Sequence, residues 1–493
     1  MQYHLVTLGC QMNKSDSERV RTVIERMGYT WTDDEETANL LGILACSVRQ
    51  KAIDKVYTRI HKWNKWKQNK NLLSFVTGCV LPADKDKFLT LFDLVFTMEE
   101  LPGLYDMIRQ YGMVTPVGIA GKHVDPVLQD PLTQPVSDID FSDINIVEIE
   151  KQNGNLTNGD LKPLKPRDQS AVKLGGFWTV KPRYTSQFEA FIPIQNGCDK
   201  FCTFCAVPYT RGREVSRSSE EILSEVKQLM EQGYKSITLL GQNVNSYGKD
   251  KKGDEISFPE LLKKIGQLGD SKGHECWVYF TSPHPKDMSE DVIKVISRYS
   301  CLAKQIHLPI QSGDEKVLIK MNRNHTVEKY RKIVNAIHKW IPDATIFTDI
   351  IVGFTGETDS QFLNTRKAIS EFKYNMAYIA MYSPRPGATS SRWKDDISHE
   401  IKKERLHILS EELKIYTRQY NENMVGKKYI VLVTGHDRKE GFLSGYTEGK
   451  IIVRFPSHDK KLIGKFVEIK IISAADFSVE GELIPIKEKE RIG

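Results

Sequence analysis

The chain has 493 residues, 40% hydrophobic and 27% charged, an ordinary globular balance that leaves room for roughly two to four domains. No apolar run reaches about 18 residues and the first residues lack the order of a secretory leader, so a membrane span and secretion are not expected and the cytoplasm is. A net charge of +6 admits an anionic partner such as RNA without requiring one, and 8 cysteines in so long a chain exclude a dense disulfide framework.

Residues 1–117 alternate strand and helix. Short apolar runs at 3–8, 39–45 and 72–77 are each followed by a helical pattern, at 15–27, 48–70 and 83–91, which predicts βαβ units and a parallel sheet. Cys10, Cys46 and Cys79 each follow one of these strands. The carboxyl ends of parallel strands face the ligand crevice, so the three can converge although they lie far apart in the chain. Zinc, a free catalytic thiol or plain burial are the other readings. The helix after the second strand carries Lys55, Arg59, Lys62, Lys65, Lys67 and Lys70 with Trp63 and Trp66, a pattern that suits either an RNA backbone or a solvated amphipathic face.

Residues 118–183 are polar and punctuated by Pro126, Pro131, Pro135, Pro163 and Pro166, the composition of a linker or surface insertion. From 184 to 420 strand-like runs recur at 189–194, 236–240, 276–280, 305–308, 345–352 and 376–382, with helical patterns at 219–232, 287–297, 327–340 and 360–372. Six such units predict a partial parallel barrel with its working residues at the C-terminal ends of the strands. Residues 421–493 follow a mixed-charge helix and turn all-β, with runs at 429–434, 442–446, 451–455 and 466–472. They predict a small antiparallel β-barrel, either an oligonucleotide binder or a cap on the larger barrel.

The densest chemical signal follows the first strand of the six-unit region. Cys198, Cys202 and Cys205 stand in a C-x3-C-x2-C spacing, with Phe201 and Phe204 before the second and third. Three thiolates can hold three irons of a [4Fe–4S] cube and leave the fourth open for chemistry. A zinc knuckle or scattered buried cysteines is the alternative, but zinc wants four ligands and none follows nearby. Cys276 and Cys301 have no partner spacing and are expected to be small buried residues. Gln242, Asn243, Gln311, Ser312 and Arg323 lie in loops after strands, where they would meet a cofactor or base, or simply cap turns. Asp349 and Glu357 flank a glycine-containing turn and equally suit a structural ion pair.

The C-x3-C-x2-C spacing is that of radical S-adenosylmethionine (SAM) enzymes, and further motifs narrow the resemblance. Thr7-Leu8-Gly9-Cys10-Gln11-Met12-Asn13 with Asp16-Ser17-Glu18, Cys46-Ser47-Val48-Arg49 and Gly78-Cys79-Val80 resemble the N-terminal motifs of the methylthiotransferases. Gly197 to Arg217 resembles their radical SAM loop, and Leu239-Leu240-Gly241-Gln242-Asn243-Val244-Asn245 resembles the tRNA-modifying MiaB branch. The terminal barrel resembles a TRAM domain. The resemblance implies an N-terminal methylthiotransferase domain, a radical SAM domain and a TRAM-like barrel. It implies two [4Fe–4S] clusters, a SAM-binding one on Cys198, Cys202 and Cys205 and an auxiliary one on Cys10, Cys46 and Cys79. SAM would be cleaved to a 5′-deoxyadenosyl radical at the first, the second would carry sulfur, and a second SAM would supply methyl. The implied substrate is N6-isopentenyladenosine at position 37, in the anticodon loop of tRNA. A flavodoxin or ferredoxin as electron donor and a monomeric state complete the expectation. Methylthiolation of threonylcarbamoyladenosine in tRNA or of a ribosomal-protein aspartate, and a non-catalytic Fe–S RNA-binding protein, are the alternatives.

Overall fold

The computed structural model describes residues 1–47, 50–110, 171–271 and 273–485, so the polar insertion lies outside the described residues up to 170. Five strands, β1 (Gln2–Thr7), β2 (Thr30–Trp31), β3 (Leu40–Cys46), β4 (Leu73–Cys79) and β5 (Leu94–Val95), form one parallel sheet in the order β2-β1-β3-β4-β5. Helices α1 (Gln11–Arg26), α2 (Gln50–Trp66) and α3 (Pro82–Leu91) make the crossovers. All seven residues of β3 are buried, as a central strand covered on both faces requires. The edge strands β2 and β5 are two residues each, too short to show a period in sequence. The helix Ala171–Thr179, within the stretch expected to be linker, packs Leu174, Phe177 and Trp178 into this domain's core.

The second domain holds β6 (Glu189–Pro193), a small antiparallel pair of β7 (Gln195–Asn196) and β8 (Val215–Ser216), then β9 (Ser236–Leu240), β10 (Trp277–Phe280), β11 (Gln305–His307), β12 (Thr345–Val352) and β13 (Met376–Met381). The main strands run parallel as β6-β9-β10 and β11-β12-β13. A bridge from Val278 to Leu302 joins the halves into a six-strand partial barrel. Helices cover its outside, and one core runs through both halves, including the buried Cys276 and Cys301. Glu357 forms a buried ion pair with Arg405 at 2.8 Å, while Asp349 lies 3.0 Å from His307, so the two acids serve different contacts.

α1 joins these domains. It buries Asn13, Ser15, Asp16, Ser17, Glu18 and Arg19, a polar set that would be costly against an apolar face. Here the hydroxyl of Ser15 donates to the Phe191 carbonyl at 3.0 Å, and Glu18 accepts the N–H and hydroxyl of Thr185 at 3.0 and 2.9 Å. The polar run after Cys10 therefore builds the interdomain seam.

The helix His399–Glu422, capped by the Ser398 side chain, leads to the C-terminal barrel. Its strands are β14 (Lys428–His436), β15 (Phe442–Thr447), β16 (Ile452–Pro456), β17 (Phe466–Ala474) and β18 (Ser478–Leu483), closed in the order β14-β15-β16-β18-β17. The barrel is not wholly antiparallel as expected, because β18 closes it by pairing parallel to β16. The turn between β15 and β16 enters the starting ends of the second domain's strands. Thr345 donates to the Gly449 carbonyl at 2.8 Å and the Lys304 N–H to Glu448 at 3.1 Å. Tyr446 donates to Glu189 at 2.7 Å, and Trp277 and Phe466 pack with tilted rings, their centres 4.5 Å apart.

Candidate active site

Each triad sits at the carboxyl ends of its domain's strands. Cys10 is the residue before α1, while Cys46 and Cys79 end β3 and β4 and are register partners. Gly9 has φ +114°, and a Cβ there would lie 2.6 Å from Cys46 Cβ and 3.1 Å from its Sγ, so only glycine lets the end of β1 close over Cys46. Asn13 locks the arrangement by donating to the carbonyls of Leu8 and Ala45, both at 2.7 Å. Cys46 and Cys79 are buried and Cys10 is exposed. A cleft of about 510 Å³ opens beside Cys10, lined among others by Lys14, Arg21 and Trp31.

The second triad lies on an excursion of the chain pinched at its base by the pairing of β7 with β8. Gly197 has φ +81°, and a Cβ there would fall 1.9 Å from the Arg213 carbonyl oxygen, so the two legs touch through backbone. The Cys198 N–H donates to the Gly212 carbonyl at 3.1 Å. Phe201 takes a left-handed φ of +49°, a strained conformation for an aromatic residue. Asn322 holds it by donating to the carbonyls of Lys200 and Phe201 at 3.2 and 3.0 Å.

Burial pushes the thiols of Cys79 and Cys205 up to about 12, and that of Cys198 also up. Thiolates are the metal-ligating form, so a bound cation must supply the charge that stabilises them. Positive groups already stand at both triads. Arg211 Nε donates to Cys79 Sγ at 2.8 Å, and Arg323 Nη1 to Cys202 Sγ at 3.4 Å. Among the described residues no three His, Cys, Asp or Glu side chains are grouped so as to hold a metal ion. Three thiols with a cationic neighbour are the donor chemistry of an iron–sulfur cube, a larger body than a single ion, and both triads offer it.

The five residues expected to meet SAM or a base are placed as follows. Gln242 accepts the Gly197 N–H at 2.6 Å, steadying the cysteine excursion. Asn243 is buried and donates to Glu214 and Asp287 at 3.2 Å each, while its Oδ1 has no protein partner. Gln311 is left-handed, with φ +71°, and its N–H donates to the Asp349 carbonyl at 2.9 Å. The Ser312 hydroxyl is fully buried, 3.2 Å from that of Thr365, and serves the turn. Arg323 donates to the Pro309 carbonyl at 3.0 Å and keeps a buried Nε without a partner. Buried polar atoms are normally bonded, so Asn243 Oδ1 and Arg323 Nε are the ones open to a ligand. Two neighbours escaped the sequence reading. His284 and His325 meet edge to face at 5.8 Å, each with a buried, unpartnered Nε2. Burial and the Arg323 charge lower both, His325 to about 4, so both are neutral at pH 7. Their only sequence signal is their place in loops, His284 after β10 and His325 between two helices.

The basic helix is largely absorbed by its own domain. Trp63 is fully buried, Arg59 pairs with Glu35, and Lys67 pairs with Asp93 at 2.6 Å. Lys55, Lys62, Lys65 and Lys70 remain exposed.

Family models match three parts of the chain: Uncharacterized protein family UPF0004 over residues 2–98, the radical SAM superfamily over 192–369 and the TRAM domain over 422–484. The chain is 36% identical over 486 residues to the tRNA-2-methylthio-N(6)-dimethylallyladenosine synthase of Clostridium botulinum (strain Hall), covering 98% of this chain and 97% of that relative. The chain belongs to this synthase family. The synthase of Dictyoglomus thermophilum is 35% identical over 491 residues, with 98% of each chain covered. Among solved structures, the radical SAM methyltransferase TsrM from Kitasatospora setae is similar at 12% identity and a TM-score of 0.46, covering 79% of this chain and 73% of that one. The protein is a radical SAM enzyme with a TRAM domain, and membership implies a [4Fe–4S] cluster and SAM.

Proposed function

We propose that this chain methylthiolates carbon 2 of N6-isopentenyladenosine at position 37 of tRNA. The observation that carries the reading is the Arg211–Cys79 contact, which ties the SAM-loop side of the second domain to a thiol of the N-terminal triad, in a chain 36% identical to a synthase of that name. Cys198, Cys202 and Cys205 would hold the SAM-binding cluster, and Cys10, Cys46 and Cys79 an auxiliary one. Together with SAM, such clusters supply the radical and sulfur chemistry that an unactivated aromatic C–H bond demands.

The chain's own residues position and shield. Asn322 and Gln242 hold the cysteine excursion, and Asn243 and Arg323 offer buried polar atoms to SAM. The cleft beside Cys10 carries the cations Lys14 and Arg21, suited to the phosphates of a single-stranded RNA loop. An anticodon-loop base can be splayed into such a site at little unstacking cost. An electron donor of the flavodoxin or ferredoxin type, action as a monomer and a cytoplasmic location belong to this proposal. Among the described residues no helix is long and apolar enough to cross a membrane.

The test is a competition between tRNAs carrying isopentenyladenosine and threonylcarbamoyladenosine, with the anaerobically reconstituted enzyme and nucleoside mass analysis. The 2-methylthio product is expected from the first. Its appearance only from the second would overturn the substrate assignment.

A further inference from the structure

Arg211 belongs to the second domain but places its guanidinium in the first. Its Nε donates to Cys79 Sγ at 2.8 Å, Nη1 to Asn196 Oδ1 at 3.0 Å, and Nη2 to Asn13 Oδ1 at 3.1 Å and Asp16 Oδ2 at 2.6 Å. Arg211 is 6% exposed and Asp16 1%, so the charges interact in a medium where screening is weak. The next residue, Gly212, accepts the Cys198 N–H. A short run of bonds thus links the main chain of a cysteine in one triad to a thiol of the other: the Cys198 N–H, Gly212, Arg211, Cys79 Sγ.

A buried ion pair that only joined two domains could use any acceptor. This one spends a guanidinium N–H on sulfur, where hydrogen bonds and net charge set the reduction potential of an iron–sulfur centre. A cation beside the sulfur favours the more negative, reduced state and raises the potential. Asp16 fixes the fork and offsets part of that charge. A lysine would keep the charge but lose the planar fork that reaches four acceptors at once.

We propose that Arg211 is a positioning residue that sets the reduction potential of the group held by Cys10, Cys46 and Cys79 and registers it against the SAM-binding loop. This rests on the reading that those three thiols hold an iron–sulfur cluster.

The experiment uses the full chain with Cys198, Cys202 and Cys205 all replaced by Ala, reconstituted without oxygen, so that only the N-terminal triad can hold iron. Iron and sulfide content and the midpoint potential from an EPR-monitored redox titration are compared with and without Arg211→Gln, Arg211→Lys and Asp16→Asn. The midpoint should fall with Arg211→Gln, fall less with Arg211→Lys, and rise with Asp16→Asn. Asp16→Asn keeps the arginine, so it decides the matter even if Arg211→Gln cannot be loaded. Full iron with a midpoint unmoved by Asp16→Asn, or by Arg211→Gln, would overturn the role of Arg211 alone. No iron in the parent would overturn the cluster reading, and this inference with it.

Discussion

The hydroxyl of Tyr279 donates to the main-chain carbonyl of Glu448 at 3.0 Å, tying a core strand of the radical SAM barrel to the tip of a TRAM turn. The same turn presents Gly449 to Thr345 so closely that a Cβ would lie 2.7 Å from the threonine methyl. The TRAM barrel therefore closes the end of the larger barrel opposite the cysteines, whatever it also does with RNA. Replacing Gly449 by Val should cost about 1–3 kcal/mol, as overpacking does. Denaturant unfolding of the full chain, followed by tryptophan fluorescence, checks this through Trp277. Ending the chain near Asn421 should uncover Trp277 and Tyr279 and lower solubility; a well-behaved truncated protein of unchanged stability would show that the cap is dispensable.

Lys450 lies in the same junction, its Nζ 3.5 Å from the ring centre of Tyr446 and 4.0 Å from that of Tyr279. Burial pushes its ammonium down to about 7, against the pull of Glu189. The unfolded chain keeps the ordinary lysine affinity, near ~10.4, and so binds more protons between those values. Stability should accordingly rise with pH from about 7 towards 9, and Lys450→Met should remove that increment. Melts of both proteins across this window measure it; parallel curves would rule out a titrating lysine.

Gly197→Ala should empty the triad of Cys198, Cys202 and Cys205, the proposed SAM-binding one. The added carbon would sit 1.9 Å from a backbone oxygen at a left-handed φ, and neither leg of the excursion can move without breaking the Cys198–Gly212 bond. A cost above ~2 kcal/mol falls on the loop itself. On the proposed reading of two clusters, iron per chain after reconstitution should drop by about half, with 5′-deoxyadenosine formation lost and the N-terminal triad still loaded. Wild-type iron content in this variant would contradict the backbone argument.

Arg405→Met should destabilise the fold by about 3–5 kcal/mol, the cost of leaving a buried charge unpaired. Glu357, 2% exposed, would keep only the Gly353 N–H, which it accepts at 2.7 Å. Glu357→Gln together with Arg405→Met should recover part of that loss. A double-mutant cycle in urea reads the coupling directly; additive single effects would mean the pair is not coupled.

What the sequence determined by itself is local. The C-x3-C-x2-C triad, the alternating β and α units and the buried central strands all announce themselves within a few residues, because thiol spacing and hydrophobic period are short-range properties. The grouping of Cys10, Cys46 and Cys79 is legible through the rule that parallel strands end on one side and through the motifs around each, and the register of β3 with β4 sets Cys46 beside Cys79. Tertiary structure decided the rest. The partner of Cys79 is Arg211 of another domain, Trp63 is core and not an RNA platform, and β18 closes its barrel parallel to β16. Asp16 and Glu18 look like solvent-facing acids in the chain, yet each is buried because its partner arrives from the second domain. Contacts between residues so far apart leave no periodic trace. They exist only where two surfaces meet and each buried polar group must find its bond.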